Sequence, residues 1–297
     1  MVFKSSPCYV SDMDILIACD IGGTKMQVAA ATTSGEILRR TGAPTPQSLA
    51  DGLAYLRSTI AELKGPDRIV GVGATLGGPL NAETGVASPL HQAEWRNVPI
   101  VAHLQSWTGA PSRIAVDTDA AALAEFRRGA HGVHRLLYVT VSTGIGGGFI
   151  TDGQIFHGVN GCHPEFGHQS VPSGLPERVP CACGSYDCLE ALVSGTSLQK
   201  RFGRPAAELD DAVWADAGRL LGIALRNATT LLAPEVVALG GGVVTGAGEK
   251  FVAPARRVVE EGTPLVPKPR VVISALGYDT ALLGAVELAR DVSGIGA

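Results

Sequence analysis

The sequence is poor in aromatic residues and has no excess of basic ones. Phe, Trp and Tyr make up 5% of the chain, whereas glycine occurs 38 times, which predicts many tight turns and close approaches between backbone segments. A formal net charge of −4 gives no basic surface, so we expect no nucleic-acid partner. With 45% hydrophobic residues over 297 positions, the chain can bury a sizeable core.

Long apolar runs are also missing. No run approaches the roughly 18–20 residues of a membrane-spanning helix, and no apolar signal-peptide segment precedes the first expected strand at Ile15. We therefore expect a cytoplasmic protein that has no membrane partner and keeps its thiols reduced.

The cysteines are clustered. Three of the six, Cys181, Cys183 and Cys188, fall within eight positions, and His168 precedes them by a gap of twelve residues. In a reduced protein this clustering favours a metal over disulfides, and three thiolates with one imidazole make a closed tetrahedral zinc site. A buried thiol cluster or a redox pair is the alternative, and His163 is a rival ligand. We expect the remaining cysteines to be small apolar side chains: Cys8, Cys19 and Cys162.

These ligands lie in a long segment, from Gly158 to Glu190, that lacks the pattern of a helix or a strand. Its prolines forbid a continuous helix, and a segment of this length needs something to order it. Glu165 and Glu190 flank the ligands. A loop glutamate is ordinarily solvated, but two carboxylates tied to one metal site can hold two substrate hydroxyl groups by charge-assisted hydrogen bonds.

The chain contains a long-range repeat. An apolar run followed by a glycine turn and a hairpin occurs at Ile15–Lys25 and again about 120 residues later, at Leu136–Gly148. This duplication predicts two like lobes facing one cleft. From periodicity and turn residues we predict strands over 15–19, 26–32, 36–40, 69–74, 136–141, 149–150, 154–156, 236–239 and 270–275, and helices over 48–63, 120–128, 210–232 and 280–290.

The glycine turns and one acidic cluster carry the remaining chemistry. No turn is a Walker loop, and the glycines after Thr143 are followed by a hairpin, unlike a dinucleotide fingerprint. Their exposed backbone N–H groups can cradle phosphate oxygens, although ordinary β-turns would have the same composition. Asp117, Thr118 and Asp119 follow a strand. Thr118 or Asp119 could cap the next helix, whereas Asp117 could accept a proton from a substrate hydroxyl.

Together these segments resemble the ROK family of bacterial sugar kinases and sugar-responsive repressors. The motifs that carry the resemblance, which extends from Ile15 onward, are DIGGTK, TGIGGGFITDGQIFHG with EFGH, CACGSYDCLE and LGGGV. The resemblance implies an α/β fold of two actin/ribonuclease-H-like lobes around a central cleft, with a zinc-binding loop. Residues 1–117, completed by a C-terminal helix at 279–297, would form the small lobe, and 118–278 the large one.

The resemblance also implies an activity, namely ATP-dependent phosphorylation of a hexose or hexose-like hydroxyl with Mg²⁺, in a homodimer. Asp117 would be the general base, and the zinc would be structural. Substrate contacts are implied for Gly78, Glu165, His168 and Glu190, with His168 also a zinc ligand. Asp20 would orient the metal–nucleotide complex. Nucleotide or phosphate contacts are implied for Asp20, Gly22, Gly23, Thr24, Lys25, Thr143, Gly144, Gly241 and Gly242.

Four positions depart from the family's glucokinases: Leu90, Val116 and Asp119 stand where asparagine is common, and Asn81 stands where aspartate is common. The first two losses remove amide contacts to sugar hydroxyls. Loss of these amides changes which hydroxyls the site can recognise. A kinase of a carbasugar cyclitol is therefore the main alternative. We expect no repressor, because about a dozen residues precede the first strand, too few for a DNA-binding domain. A non-catalytic sugar-binding protein is a third alternative, against which the presence of both Asp20 and Asp117 argues.

Overall fold

The structure, a computed structural model, describes residues 13–90 and 92–295. Cys8 and the N-terminal segment considered for a signal peptide lie outside these residues. The described chain divides into two compact units, one running up to Asp117 and resuming at Ala285, the other spanning Thr118–Gly284.

The first unit is organised by a sheet with the strand order β3-β2-β1-β4-β8. Its strands, in chain order, are β1 (Asp14–Ile21), β2 (Lys25–Thr32), β3 (Ile37–Pro44), β4 (Arg68–Leu76), β5 (Leu80–Asn81), β6 (Val86–Ala87), β7 (Val98–Pro99) and β8 (Ser112–Val116). Strands β1, β2 and β3 are antiparallel neighbours, whereas β4 runs parallel to both β1 and β8. The short strands β5, β6 and β7 form a separate antiparallel sheet. The continuous apolar run of β1 is buried, as expected for a central strand.

The second unit repeats this topology. Its strands are β9 (Arg135–Val141), β10 (Ile145–Thr151), β11 (Gln154–Ile155), β12 (Val236–Gly240) and β13 (Arg270–Ile273). Their order is β11-β10-β9-β12-β13, again with an antiparallel hairpin side and a parallel side. The sequence repeat is therefore also a repeat of strand order and direction.

The helices of the described residues cover these sheets. In chain order they are α1 (Leu49–Lys64), α2 (Ile100–Thr108), α3 (Asp117–Arg128), α4 (Leu189–Val193), α5 (Gly195–Phe202), α6 (Asp211–Leu232), α7 (Gly242–Ala247), α8 (Glu249–Gly262) and α9 (Thr280–Ser293). Ser48 caps α1, since its side chain accepts from the Asp51 N–H, and Gly65 ends that helix. Among the described helices, none combines the length and the apolarity needed to cross a membrane.

Glycines allow two close contacts that the sequence did not predict. In the first unit, a Cβ at Gly73 of β4 would lie 1.9 Å from the Ala285 carbonyl oxygen, so α9 packs its backbone directly onto the strand. In the second unit, a Cβ at Gly218 of α6 would lie 2.2 Å from the Phe251 carbonyl oxygen. Helix α8 continues through Pro254, and its Phe251 is completely buried in the core, so packing against α6 outweighs the preference of proline to end a helix.

The segment between β11 and α4 is irregular, as predicted. It contains two short 3₁₀ turns, Val159–Gly161 and Phe166–His168, and otherwise no helix or named strand until α4 begins at Leu189. Glu190 thus lies in the first turn of α4 rather than in the loop itself.

Candidate active site

In the first unit, three of the predicted site residues lie where the parallel strands end. Asp20 lies at the end of β1, Gly78 follows β4, and Asp117 follows β8. Strands β1, β4 and β8 are parallel neighbours, so these residues share one edge of the sheet. Ligands of open α/β sheets bind outside such carboxyl edges.

The pKa of the Asp20 carboxyl lies well above its ordinary value. Burial is the main cause that raises its pKa to about 6, and the negative charge of Asp117 raises it further. Hydrogen bonds from Thr75 and Gln27 and the charge of Lys25 act in the opposite direction. The Thr75 hydroxyl Oγ1 donates to Asp20 Oδ1 at 3.0 Å. Sequence reasoning missed Thr75 and Gln27, because their contacts with Asp20 follow from strand register and not from a motif.

Asp117 is the first residue of α3 and is half-buried. Thr118 and Asp119 consequently lie inside the helix and are buried there, so neither precedes it as a cap.

Two of the positions that depart from the family's glucokinases, Val116 and Leu90, differ in exposure. The Val116 side chain is buried, whereas Leu90 is 71% exposed and its backbone N–H donates to the Gly78 carbonyl oxygen at 3.0 Å.

The DIGGTK turn joins β1 to β2. The Gly22 N–H donates to the Lys25 carbonyl oxygen at 3.0 Å, and a Cβ at Gly22 would lie 2.7 Å from that oxygen, which requires glycine here. The Thr45 hydroxyl donates to the Gly22 carbonyl oxygen at 2.6 Å. Gly23, Thr24 and Lys25 are exposed at the tip. Their backbone and side-chain donors are thus accessible to a ligand.

In the second unit the predicted metal ligands come together. Nδ1 or Nε2 of His168 and the Sγ atoms of Cys181, Cys183 and Cys188 all lie within 4.8 Å of one another. Cys181 Sγ is 3.6 Å from His168 Nδ1, and Cys183 Sγ is 3.7 Å from Cys188 Sγ. A tetrahedral ion with Zn–S bonds of about 2.3 Å and Zn–N bonds of about 2.0 Å separates its ligands by about 3.5–3.8 Å. The four residues therefore fit Zn²⁺.

Without a metal, the surroundings of Cys188 disfavour its thiolate form. Burial, followed by the neighbouring Cys183 and Cys181 thiols, raises the pKa of Cys188 to about 12. A thiolate at this position needs a positive charge beside it, which a bound zinc ion would supply. The rival ligand His163 takes another partner, because its Nε2 lies 3.2 Å from Glu165 Oε1.

The His168 ring links the cluster to a predicted substrate ligand. Its Nδ1 faces Cys181, while its Nε2 lies 3.9 Å from Glu165 Oε2. The hydrogen bond from His163 is the main cause that lowers the pKa of Glu165, and the charge of His168 adds to it. The Glu165 side chain is 66% exposed. An ionised carboxylate thus lies beside two imidazoles and remains open to a ligand.

The Glu190 side chain contacts the glycine turn that follows β9. Its Oε2 accepts the backbone N–H of Ile145 at 2.8 Å, and a Cβ at Gly144 would lie 2.6 Å from the same oxygen. A Cβ at Gly167, beside His168, would lie 2.2 Å from the Ile145 carbonyl oxygen. The segment carrying Glu165 and His168 therefore meets the segment carrying Glu190 around Ile145.

A cavity of about 590 Å³ opens beside the glycine turns of the second unit. Strands β9 and β12 are parallel neighbours, so the turn after Val141 and the Gly241–Gly242 turn share one edge of the sheet. Thr143 and Gly242 line the cavity together with Gln199, Leu209 and Trp214. Gly241 has φ +92°, and a Cβ there would lie 2.4 Å from the Val141 carbonyl oxygen. The size and mixed lining suit a small-molecule ligand.

Comparison with known proteins agrees with these features. The model of the ROK family matches residues 16–292. The glucokinase of Halalkalibacterium halodurans is 30% identical, and the match covers 90% of this chain and 92% of that protein. The fructokinase of Zymomonas mobilis is 29% identical over 94% of this chain and 97% of its own.

A solved structure extends the similarity to three dimensions. The ROK family glucokinase from Streptomyces griseus, in complex with glucose and AMPPNP, matches with a TM-score of 0.77 and 26% identity. The match covers 93% of this chain and 99% of that one. The α/β actin/hexokinase-like fold expected from the sequence is thereby confirmed, and the chain belongs to the ROK family.

Proposed function

We propose that the protein is an ATP-dependent kinase that transfers the γ-phosphoryl group to a hydroxyl of a hexose or hexose-like substrate. Relatives named glucokinase and fructokinase, and a similar structure that contains glucose and AMPPNP, support this reaction class. Phosphoryl transfer needs a base, a metal–nucleotide complex and donors to phosphate, and two carboxylates beside glycine turns match these needs.

The observation that carries the proposal is the position of Asp117 at the same sheet edge as Asp20. Asp117 acts as the general base that accepts the proton of the attacking substrate hydroxyl. As the hydroxyl oxygen bonds to the γ-phosphorus, the bond to the bridging oxygen breaks and ADP leaves. Asp20 orients the Mg²⁺–nucleotide complex on which this displacement depends.

The proposed contacts with substrate hydroxyls are Gly78, Glu165, His168 and Glu190. Ionised carboxylates accept short, directional hydrogen bonds from hydroxyl groups. His168, Cys181, Cys183 and Cys188 would hold a structural zinc, which would fix the His168 ring beside Glu165.

The nucleotide phosphates are held by the glycine turns. The proposed contacts are Gly22, Gly23, Thr24, Lys25, Thr143, Gly144, Gly241 and Gly242. The cavity beside Thr143 and Gly242 receives the nucleoside, with Trp214 and Leu209 offering apolar surface and Gln199 a polar group. Its volume of about 590 Å³ supports this assignment.

A coupled assay of ADP release over hexoses, amino sugars and cyclitols, with ATP and Mg²⁺, tests the function. We expect turnover with at least one hexose or hexose-like compound. Asp117→Asn should lower kcat about 10²–10⁴-fold, which is the typical contribution of a general base, while calorimetry should still detect sugar binding. Absence of turnover with the whole panel, or full activity of Asp117→Asn, would contradict the proposal.

Two further properties belong to the same proposal. The protein works in the cytoplasm, where the thiols of the zinc cluster remain reduced. It also assembles as a homodimer, which light scattering on the purified protein would test.

A further inference from the structure

Asp20 lies in the central strand β1, with a neighbouring strand on each side. Gln27 of antiparallel β2 is its direct cross-strand partner, and Thr75 of parallel β4 is its partner on the other side. Direct cross-strand neighbours project to the same face of a sheet. Both side chains therefore lie on the same face of the sheet as the Asp20 carboxylate.

The direction of each hydrogen bond can be assigned. The Thr75 hydroxyl donates to Asp20 Oδ1 at 3.0 Å. Lys25 Nζ donates to Gln27 Oε1 at 3.1 Å, so Nε2 is the atom of this amide that is available to donate to Asp20, and Gln27 lowers the pKa of Asp20. The carboxylate thus has a hydroxyl donor from β4 and an amide beside it on β2.

The Thr75 hydroxyl differs from an ordinary surface donor. Thr75 is completely buried, so water cannot readily replace its hydrogen bond when the side chain is changed. The charged groups that act on Asp20 are Lys25, which attracts it, and Asp117, which repels it. If the Thr75 hydrogen bond were lost, the charges of Lys25 and Asp117 would reorient the Asp20 carboxylate.

We propose that Thr75, with Gln27 as its counterpart, is a positioning residue that fixes the direction of the Asp20 carboxylate for the phosphoryl-transfer reaction. This inference rests on the proposed function, because it assumes that Asp20 orients the Mg²⁺–nucleotide complex. Residues that orient a functional group in this way typically contribute about 10–100-fold to activity or metal affinity. Neither Thr75 nor Gln27 needs to touch the sugar or the nucleotide.

Two substitutions at Thr75 separate the hydroxyl from the methyl group. Thr75→Val keeps the shape and loses the donor, whereas Thr75→Ser keeps the donor and loses the methyl group. We expect Thr75→Val to lower kcat about 10–100-fold and to raise the Mg²⁺ concentration needed for half-maximal rate. Thr75→Ser should stay within about threefold of wild type, and the KM for the sugar should be unchanged in both variants.

The matched control is Thr229→Val. Thr229 is also completely buried, but its hydroxyl has no hydrogen-bond partner among the residues that the structure describes. This variant should keep wild-type kcat and Mg²⁺ dependence. If Thr75→Val does not fold, as judged by circular dichroism, Gln27→Met removes the other donor at a half-buried position and should reproduce the loss of kcat.

Wild-type kcat in a folded Thr75→Val variant would overturn the inference. An equal loss in Thr75→Val and Thr75→Ser would also overturn it, because packing alone would then explain the effect. If the wild-type protein phosphorylates no compound of the panel, the proposed function has failed, and calorimetry with Mg²⁺–ATP decides the inference separately. Binding weakened about tenfold or more in Thr75→Val supports it, and unchanged binding overturns it.

Discussion

The Glu190 carboxylate accepts a hydrogen bond from the backbone N–H of Ile145 at 2.8 Å. An acidic residue from the start of α4 is thereby fixed to the glycine turn after β9. The absence of a side chain at Gly144 makes room for this contact, since a Cβ there would lie 2.6 Å from Glu190 Oε2. The predicted phosphate turn and the predicted substrate carboxylate are therefore one connected structure.

Substitution of Gly144 by alanine should displace Glu190. We expect the KM for the sugar to rise about tenfold or more, which corresponds to a loss of about 1.4 kcal/mol in binding. Steady-state kinetics of Gly144→Ala, Glu190→Ala and the double variant provide the measurement. Because either change breaks the same contact, the double variant should be little worse than the more impaired single variant, and additive losses would contradict the coupling. Glu190→Gln, which retains an acceptor for the Ile145 N–H, serves as the control.

Removal of zinc should destabilise the protein. The four ligands hold an otherwise irregular segment, and a structural zinc site contributes folding free energy directly. Dialysis against a chelator should lower Tm by more than about 10 °C, as a loss of about 4 kcal/mol does for a unit of 150–250 residues. Metal analysis by plasma emission should find one zinc per chain before dialysis. Cys162→Ser changes an exposed cysteine outside the cluster and should keep both the metal and the Tm.

Asp20→Asn should make the protein more stable at neutral pH while removing activity. Burial raises the pKa of Asp20 from 3.8 to about 6, so the folded state binds this proton more tightly than the unfolded state does. The stability that Asp20 contributes is therefore present below pH 3.8 and lost as the pH rises through about 6. Urea unfolding at pH 8 should show a gain of about 1–2 kcal/mol for Asp20→Asn, reduced by solvent screening of a half-buried group.

The gain from Asp20→Asn should shrink as the pH falls from 8 toward 4, and a gain independent of pH would contradict the assignment. The same pKa predicts an acid limb in the wild-type activity. Because kcat/KM reports the ionisation of the free enzyme, it should fall below a pH of about 6.

Leu90→Asn should raise kcat/KM for glucose. Leu90 is 71% exposed and its backbone is bonded to Gly78, so an amide there adds a donor and an acceptor without entering the core. One new hydrogen bond to a hydroxyl is worth about 0.5–1.5 kcal/mol, or roughly 3–10-fold. Val116→Asn is the contrasting variant, because it places an amide at a buried position and should lower Tm. No change for Leu90→Asn across the sugar panel would show that this position does not select the substrate.

The sequence was sufficient for features encoded by local composition. The duplicated strand–turn–strand pattern predicted two like units, and the confirmed topology repeats in both sheets. The spacing of His168 and the three cysteines predicted ligands that the structure brings within 4.8 Å of one another. Both signals are local, since glycine turns and thiol clusters are recognisable without knowledge of distant contacts.

Features that depend on distant pairing could not be predicted. Thr75 lies 55 positions from Asp20, and only the register of β1 against β4 makes them neighbours. Glu190 reaches Ile145 across 45 positions, through the fold of an irregular segment. Helix α8 was not predicted from the sequence; it contains Pro254, a residue that disfavours a helix interior, and close packing on Gly218 stabilises it.

The close contact between Gly73 and Ala285 has a consequence for synthesis of the chain. The first unit needs the backbone of α9 against β4, yet the whole stretch from Thr118 to Gly284 leaves the ribosome before Ala285 does. The Gly71–Gly73 surface of the nascent N-terminal sheet therefore stays uncovered by α9 until Ala285 has been synthesised. The contiguous second unit is complete before that point.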